Sequence, residues 1–187
     1  MDIYHADILR FDTDNLTFPE DLARRWDDDC PNLHIIGNLP FNISTPLIIK
    51  WLSNISERKG LWKYGRTPLI LTFQKEVADR MVAPMVGDHR CRLSLICQYL
   101  CDVKVLFNIP GKAFVPSPKV DVSVVKFEPL KRPLINEVPF SVVSKVLQHV
   151  FHYRRKKITR GIRWVTFDCF NDNVHDVVHH LLYRPVK

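Results

Sequence analysis

The chain has 187 residues, of which 46% are hydrophobic and 25% charged, and a formal net charge of +7. That length suits one domain, or one domain with a small appendage, and the composition excludes a disordered chain. No apolar run approaches the roughly 18 to 20 residues that span a bilayer.

In chain order, residues 1–30 hold nine acids and three bases. A transit peptide is Arg- and Ser-rich and poor in acids, so this start is not one. It enters folded-looking sequence at Ile3-Tyr4 and reads as lacking an N-terminal portion. The other 157 residues keep 24 of the 27 bases and 11 of the 20 acids, a net of +13. Such an excess suits a polyanionic partner, because Lys and Arg displace phosphate counterions, and it equally suits a solubilising surface.

Leu33-His34-Ile35-Ile36 is a compact apolar run ending at Gly37, the profile of a buried strand. Thr45-Pro46 offers an N-cap and a proline at the first helical position. Leu47, Ile48, Trp51, Leu52 and Ile55 follow at helical spacing. Leu69 to Phe73 is a second buried strand, and Gln74 to Met81 and Leu93 to Cys101 read as helices. Val103, Val105, Phe107 and Ile109 alternate with Lys104, Leu106 and Asn108, which is strand periodicity. Val120 to Phe127 is a β-branched strand. The gap between these last two is too short for a helical crossover, so the pair is expected to be antiparallel within an otherwise mostly parallel α/β sheet. Phe140 to Ile162 then reads as one long helix with Val143, Val146, Leu147, Val150 and Phe151 as its apolar side.

The five cysteines, Cys30, Cys91, Cys97, Cys101 and Cys169, are odd in number and form no C-x-x-C pair. That argues against a disulfide framework and against a zinc site, and implies a reducing compartment such as cytosol or organelle matrix. Cys97 and Cys101, four apart, read as apolar fillers on a buried helix. His175 and His179 share the four-residue spacing but have no carboxylate or cysteine nearby at ligand spacing. They are read as surface residues, and no metal is expected.

Asn38-Leu39-Pro40-Phe41 directly follows the first strand, where ligands of open α/β sheets bind. Taken alone, four such residues read more readily as a strand-terminating turn, since Asn and Pro are common there. The chemical alternative is a grip on an exocyclic amine of a base taken out of its stack. An Asn oxygen accepts one amine hydrogen and a backbone carbonyl accepts the other. The nitrogen lone pair is then aimed by positioning and electrostatics, without a strong base. Pro40 stiffens the turn and Phe41 offers a stacking face. A second signal, Ala113-Phe114-Val115-Pro116-Ser117-Pro118-Lys119-Val120, is a proline-stiffened loop between two strands. Phe114 there either packs internally or closes over the second face of the base.

Together, Asn38-Leu39-Pro40-Phe41 and Phe114-x-Pro116-x-Pro118-x-Val120 resemble the signatures of the ribosomal RNA adenine dimethyltransferases. Gln74-Lys75-Glu76-Val77-Ala78-Asp79-Arg80, Arg92-Leu93-Ser94 and the basic run Phe151-His152-Tyr153-Arg154-Arg155-Lys156-Lys157 are similar to that family as well. The resemblance covers roughly residues 3–165. The helix bearing Trp51, Tyr64-Gly65-Arg66-Thr67 and Ile109 to Phe114 are most similar to its mitochondrial members.

The resemblance implies an incomplete class I methyltransferase (Rossmann-like) sheet over residues 1–133, and a partial helical RNA-binding domain over 134–187. It implies transfer of two methyl groups from S-adenosyl-L-methionine to each of two adjacent adenosines of a small-subunit rRNA hairpin, in the mitochondrial matrix, by a monomer. By position it assigns Asp7 and Ile8 to the cofactor's adenine, and Asn38 to cofactor and target base together. Leu39, Pro40, Phe41 and Phe114 fall to the target-base clamp. Arg154, Arg155, Lys156, Lys157 and Arg160 fall to rRNA phosphates; by composition alone they are equally a solvated helix face.

The sequence departs from the family in two places. The family's glycine-rich loop precedes the amine motif, yet the first glycine here is Gly37. The chain is therefore expected to start near the end of the family's third strand, with one sheet edge uncovered and marginal stability when isolated. Beyond Arg163 the match is poor. The missing loop leaves an alternative open: a non-catalytic nucleic-acid-binding protein or mitochondrial transcription factor, working with the transcription machinery.

Overall fold

A computed structural model describes residues 1–84, 87–134 and 138–152. Strand β1 (Ile35–Gly37) leads into helix α1 (Phe41–Glu57). Strand β2 (Leu69–Gln74) leads into helix α2 (Lys75–Met81). Helix α3 (Arg92–Leu100) runs straight into strand β3 (Cys101–Ile109), followed by strand β4 (Val122–Pro129) and helix α4 (Phe140–His152).

The sheet order is β1-β2-β4-β3. β1 and β2 are parallel, with Ile35 opposite Leu69 and Gly37 opposite Leu71. β4 runs antiparallel to both β2 and β3. The expected antiparallel pairing of the last two strands is therefore present, with the later strand inserted between β2 and β3.

Successive strand residues point to opposite faces. Leu69, Leu71 and Phe73 of β2 lie beside Phe127, Val125 and Ser123 of β4 on one fully buried face. Helices α1 and α3 pack against it, and α4 packs on those two helices. α1 buries Leu47, Ile48, Trp51, Leu52 and Ile55, and α3 buries Leu95, Ile96, Tyr99 and Leu100. α4 adds Phe140, Val143, Val146 and Leu147 to the same continuous core. At about 25 cal/mol per Å² of apolar area removed from water, this shared face is the main stabilising element of the fold. On the opposite face the register places Ile36 beside Ile70, and Thr72 beside Val124. There Ile36 stands 76% exposed.

Three local expectations are corrected. α1 starts at Phe41 rather than at Thr45-Pro46, so Pro46 lies inside the helix. Pro40 precedes the first turn and its carbonyl accepts from the Ile43 and Ser44 amides. Pro46 then forfeits the bond that its missing N–H would have made to the preceding turn and crowds the carbonyl four residues back, and burial of the Leu47–Ile55 face offsets that cost. Second, the alternation expected across Val103–Ile109 breaks at a bulge between Val105 and Phe107, which pair with consecutive residues Val125 and Val124. An inserted residue shifts the pleat, so Phe107 lies on the uncovered face, largely exposed. Third, Cys97 and Cys101 do not share a helix: Cys97 is in α3, Cys101 opens β3, and both are buried. The expected helical stretch past His152 and the pair His175 and His179 lie outside the described residues.

The first 34 residues form no long element, only short 3-10 turns at Thr13–Asn15 and Glu20–Leu22. Side chains from the folded body tie them down by their carbonyls. The Lys50 ammonium donates to the Leu9 and Phe11 oxygens at 2.9 and 3.0 Å. The buried Arg66 guanidinium donates to the carbonyls of Trp26, Asp28 and Pro129 at 3.0, 2.8 and 3.0 Å. Gly60, with φ +63°, donates to the Asp14 carboxylate at 2.7 Å, and a Cβ at this glycine would lie 2.2 Å from the Thr13 hydroxyl.

Candidate active site

β1 and β2 are parallel, and β3 runs the same way because both β2 and β3 oppose β4. The carboxyl ends of β1, β2 and β3 therefore lie on one edge of the sheet, where β4 also begins. Asn38–Phe41, Gln74-Lys75 and the whole 110–121 loop project from that edge. The expected placement of Asn38 at a strand's carboxyl end is thus met, and the fold brings the Phe114 loop to the same edge. Neighbouring strands lie about 4.8 Å apart, so β3, from which the loop departs, is three strand spacings from β1.

Asn38 is exposed, yet its amide is held: the Thr72 hydroxyl donates to Asn38 Oδ1 at 2.9 Å. The same hydroxyl oxygen accepts from the Leu39 backbone amide at 3.2 Å. Pro40 is exposed and Phe41 half-buried, opening α1. One turn on, the Ser44 hydroxyl donates to the Phe41 carbonyl at 3.0 Å. The tetrapeptide is therefore braced from β2 on one side and by the first turn of α1 on the other.

The loop carrying Phe114 is anchored at its base. Gly111 donates its amide to Asp121 Oδ1 at 3.0 Å, and the Asp121 carbonyl accepts from the Lys75 amide at 2.9 Å. Asp121 thus clamps the loop's two ends and joins them to the end of β2. Gly111 has no room for a side chain: a Cβ there would sit 2.8 and 2.9 Å from the carbonyl oxygens of Pro118 and Val120. A 3-10 turn at Gly111–Ala113 delivers Phe114, whose amide donates to the Gly111 carbonyl, and the Val115–Pro116 peptide is cis.

Phe114 and Phe41 are both half-buried, and among the described residues neither belongs to the core cluster or to the apolar side chains packed on it. A hollow of about 310 Å³ opens beside the loop's base, lined by Gln74, Lys75, Glu76, Asp79, Val120 and Asp121. Its charged walls are partly neutralised, Lys75 by Asp79 at 2.7 Å and Glu76 by Arg80.

Asp7 and Ile8 sit on a separate turn. Asp7 Oδ1 accepts from the Leu9 amide at 2.9 Å, and the second oxygen lies 3.7 Å from Arg10. The Asp7 carbonyl accepts from the Arg10 and Phe11 amides. Ile8 packs partly against the core. Asp7 makes its hydrogen bonds within its own turn, whereas Asn38 bonds to Thr72. Arg154, Arg155, Lys156, Lys157 and Arg160 lie outside the described residues. Among the described residues no group of three or more His, Cys, Asp or Glu side chains is gathered as a metal would need, and no helix is long and apolar enough to cross a membrane.

Two residues of this edge are not singled out by the sequence. Thr72 lies within the apolar run Leu69–Phe73, where a lone hydroxyl is nonetheless a signal. Asp121 has no local signal, because its role depends on the loop folding back.

Comparison with known proteins bears on all of this. The family described as ribosomal RNA adenine dimethylase matches residues 1–177. Dimethyladenosine transferase 1, mitochondrial, of Homo sapiens is 58% identical over 161 residues, covering 86% of this chain and 46% of that protein. Mitochondrial dimethyladenosine transferase 1 of Bos taurus is 56% identical over 160 residues, with the same coverage. The chain thus spans about half the length of the curated relatives it matches. Among solved structures, a dimethyladenosine transferase from Plasmodium falciparum superposes with a TM-score of 0.56 at 28% identity, over 83% of this chain and 50% of that one. The fold is that of the class I methyltransferases, with four strands of the sheet among the described residues. A strand-end Asn-Leu-Pro-Phe turn, a phenylalanine loop folded to the same edge and a family match along nearly the whole length agree, and this chain belongs to the ribosomal RNA adenine dimethylase family.

Proposed function

We propose that the protein carrying this chain dimethylates the 6-amino group of two adjacent adenosines in a small-subunit rRNA hairpin of the mitochondrion, with S-adenosyl-L-methionine as donor. The observation that carries this reading is the braced Asn38-Leu39-Pro40-Phe41 turn at the carboxyl end of β1.

In this reading Asn38 Oδ1 accepts one amine hydrogen of a flipped adenine and the Leu39 carbonyl accepts the other. Two acceptors in fixed positions orient the amine and leave its lone pair pointing out of the base plane. Asn38 has no basic group, so its contribution is orientation and charge stabilisation, and the amine proton leaves to solvent. Phe41 and Phe114, neither spent on the core, take the two faces of the base. Stacking of this kind is worth about 1 to 3 kcal/mol per base. Asp121 holds the Phe114 loop at the edge where the base must arrive.

Asp7 and Ile8 suit an adenine ring of the cofactor. The carboxylate is more than half exposed and keeps acceptor capacity beyond its bond to Leu9, and Ile8 offers an apolar contact. When bound, the cofactor supplies an electrophilic methyl carbon. The basic run Arg154, Arg155, Lys156, Lys157 and Arg160 contacts rRNA phosphates. The matrix is the compartment of this reaction, and the acting species is a monomer. The relatives carry the names of transferases, which lends the non-catalytic transcription-factor alternative no separate support.

The test is methylation of the hairpin by the full-length protein with labelled donor. The expected product is dimethyladenosine at two adjacent positions. Absence of any methylated adenosine, with the RNA bound, sinks the reading.

A further inference from the structure

We propose that Thr72 is a positioning residue for methyl transfer, acting through Asn38 and Leu39; this rests on the reading of those two residues as the acceptors of the substrate amine. A single hydroxyl on the neighbouring strand touches both acceptor-bearing residues. It donates to Asn38 Oδ1 at 2.9 Å and accepts the Leu39 amide at 3.2 Å.

The geometry follows from the register. Gly37 is the last residue of β1 and lies opposite Leu71. The next residue on each strand is Asn38 and Thr72, so the hydroxyl stands beside the point where β1 turns away toward α1. β2 is fixed on its other side by β4, with Thr72 opposite Val124. The brace therefore comes from the rigid interior of the sheet, whereas Asn38 is exposed on a turn.

The chemistry follows from counting lone pairs. A hydroxyl carries one proton and two lone pairs, and an amide oxygen has two acceptor positions. With the Thr72 proton on Asn38 Oδ1, one position is filled and the other stays open for the incoming amine. An acceptor that already receives one hydrogen bond is held in a fixed rotamer, so less ordering remains when substrate arrives. Exclusion of water by the stacked base then strengthens the bond. Through the Leu39 amide, the same hydroxyl also sets where the peptide bearing the second acceptor begins.

The experiment uses two pairs of variants of the full-length protein that remove the hydroxyl: the parent against Thr72→Val, which puts a methyl in its place, and Thr72→Ser against Thr72→Ala, which puts a hydrogen there. Steady-state methylation of the hairpin gives kcat and KM, and thermal melting gives Tm. Within each pair the hydroxyl member is expected to have the higher kcat, on the order of fivefold to tenfold. KM for the RNA and Tm should be unchanged within each pair, and Thr72→Ser should retain most of the parent rate. Equal kcat within both pairs overturns the proposal, as does a deficit that appears wholly in KM or tracks a fall in Tm. Asn38→Ala separates the two levels. If it is inactive while the hydroxyl pairs are equal, only the role of Thr72 fails. If Asn38→Ala keeps full activity, the amine-grip reading fails and Thr72 with it.

Discussion

Asn38 sits where stability and chemistry are separable. Its side chain is exposed and is held by the Thr72 hydroxyl rather than by the core, so truncation leaves the core untouched. Asn38→Ala is expected to lower kcat of the full-length protein by about 100-fold to 1000-fold, the range for removing one preorganised electrostatic group, with Tm unchanged. A methylation assay beside a melting curve checks both halves. Arg66 is the opposite case: buried, remote from the turn, and bonded to three backbone carbonyls from two distant stretches of chain. Arg66→Met would leave those acceptors without their donor. The expected loss is about 3 kcal/mol or more by denaturant unfolding, with Arg66→Lys only partly restoring it, because an ammonium cannot reproduce the guanidinium fork.

At the level of elements, α4 packs on α3 and α1 and shares their core. Leu147→Ala is therefore expected to destabilise the protein by about 2 to 5 kcal/mol, as core truncations do, rather than merely releasing a peripheral helix. Chemical denaturation of the variant against the parent measures it. The junction of α3 with β3 offers an independent probe. Burial pushes the Cys97 and Cys101 thiols well above their ordinary range and closes them off; burial also raises the Cys30 thiol, but Cys30 and Cys91 are only half-buried and open to reagent. Because the thiolate is the reactive form, alkylation mapped by mass spectrometry should label Cys30 and Cys91 in native protein. Cys97 and Cys101 should react only after unfolding. Labelling of Cys97 without denaturant would contradict the packing described for α3.

The whole molecule is electrically lopsided. The acid-rich first 30 residues precede a remainder of net +13. If the proposed rRNA contacts are made through phosphates, affinity for the hairpin must fall log-linearly with salt. Neutralising Arg154, Arg155, Lys156 and Lys157 together should flatten that slope by roughly one unit for each phosphate that is no longer paired, and weaken binding to unrelated RNA similarly. Titrations at several salt concentrations test this, and an unchanged slope would remove these residues from the interface.

Much of the fold was legible in the chain because its signals are local. Compact apolar runs marked β1 and β2, helical spacing marked α1, and a short interval between β-branched runs made the last two strands antiparallel. The tetrapeptide and the proline loop were legible for the same reason, since stiff turns are written in the residues that form them. The start of α1 was misplaced because proline favours the first helical position, whereas here burial of the Leu47–Ile55 face outweighs the cost of a proline inside the helix. The bulge at Leu106 was hidden because either pleat leaves an apolar residue on each face of β3. The roles of Thr72 and Asp121 emerged only from the tertiary structure: a lone hydroxyl in an apolar run marks Thr72 without saying what it meets, and the carboxylate of Asp121 gains its role from loop closure. The sequence by itself determined the family, the order and type of most elements, and the chemical groups available. Which of those groups face one another was decided by the parallel register of β1 on β2 and by the insertion of β4 between β2 and β3, long-range pairings that no local pattern contains.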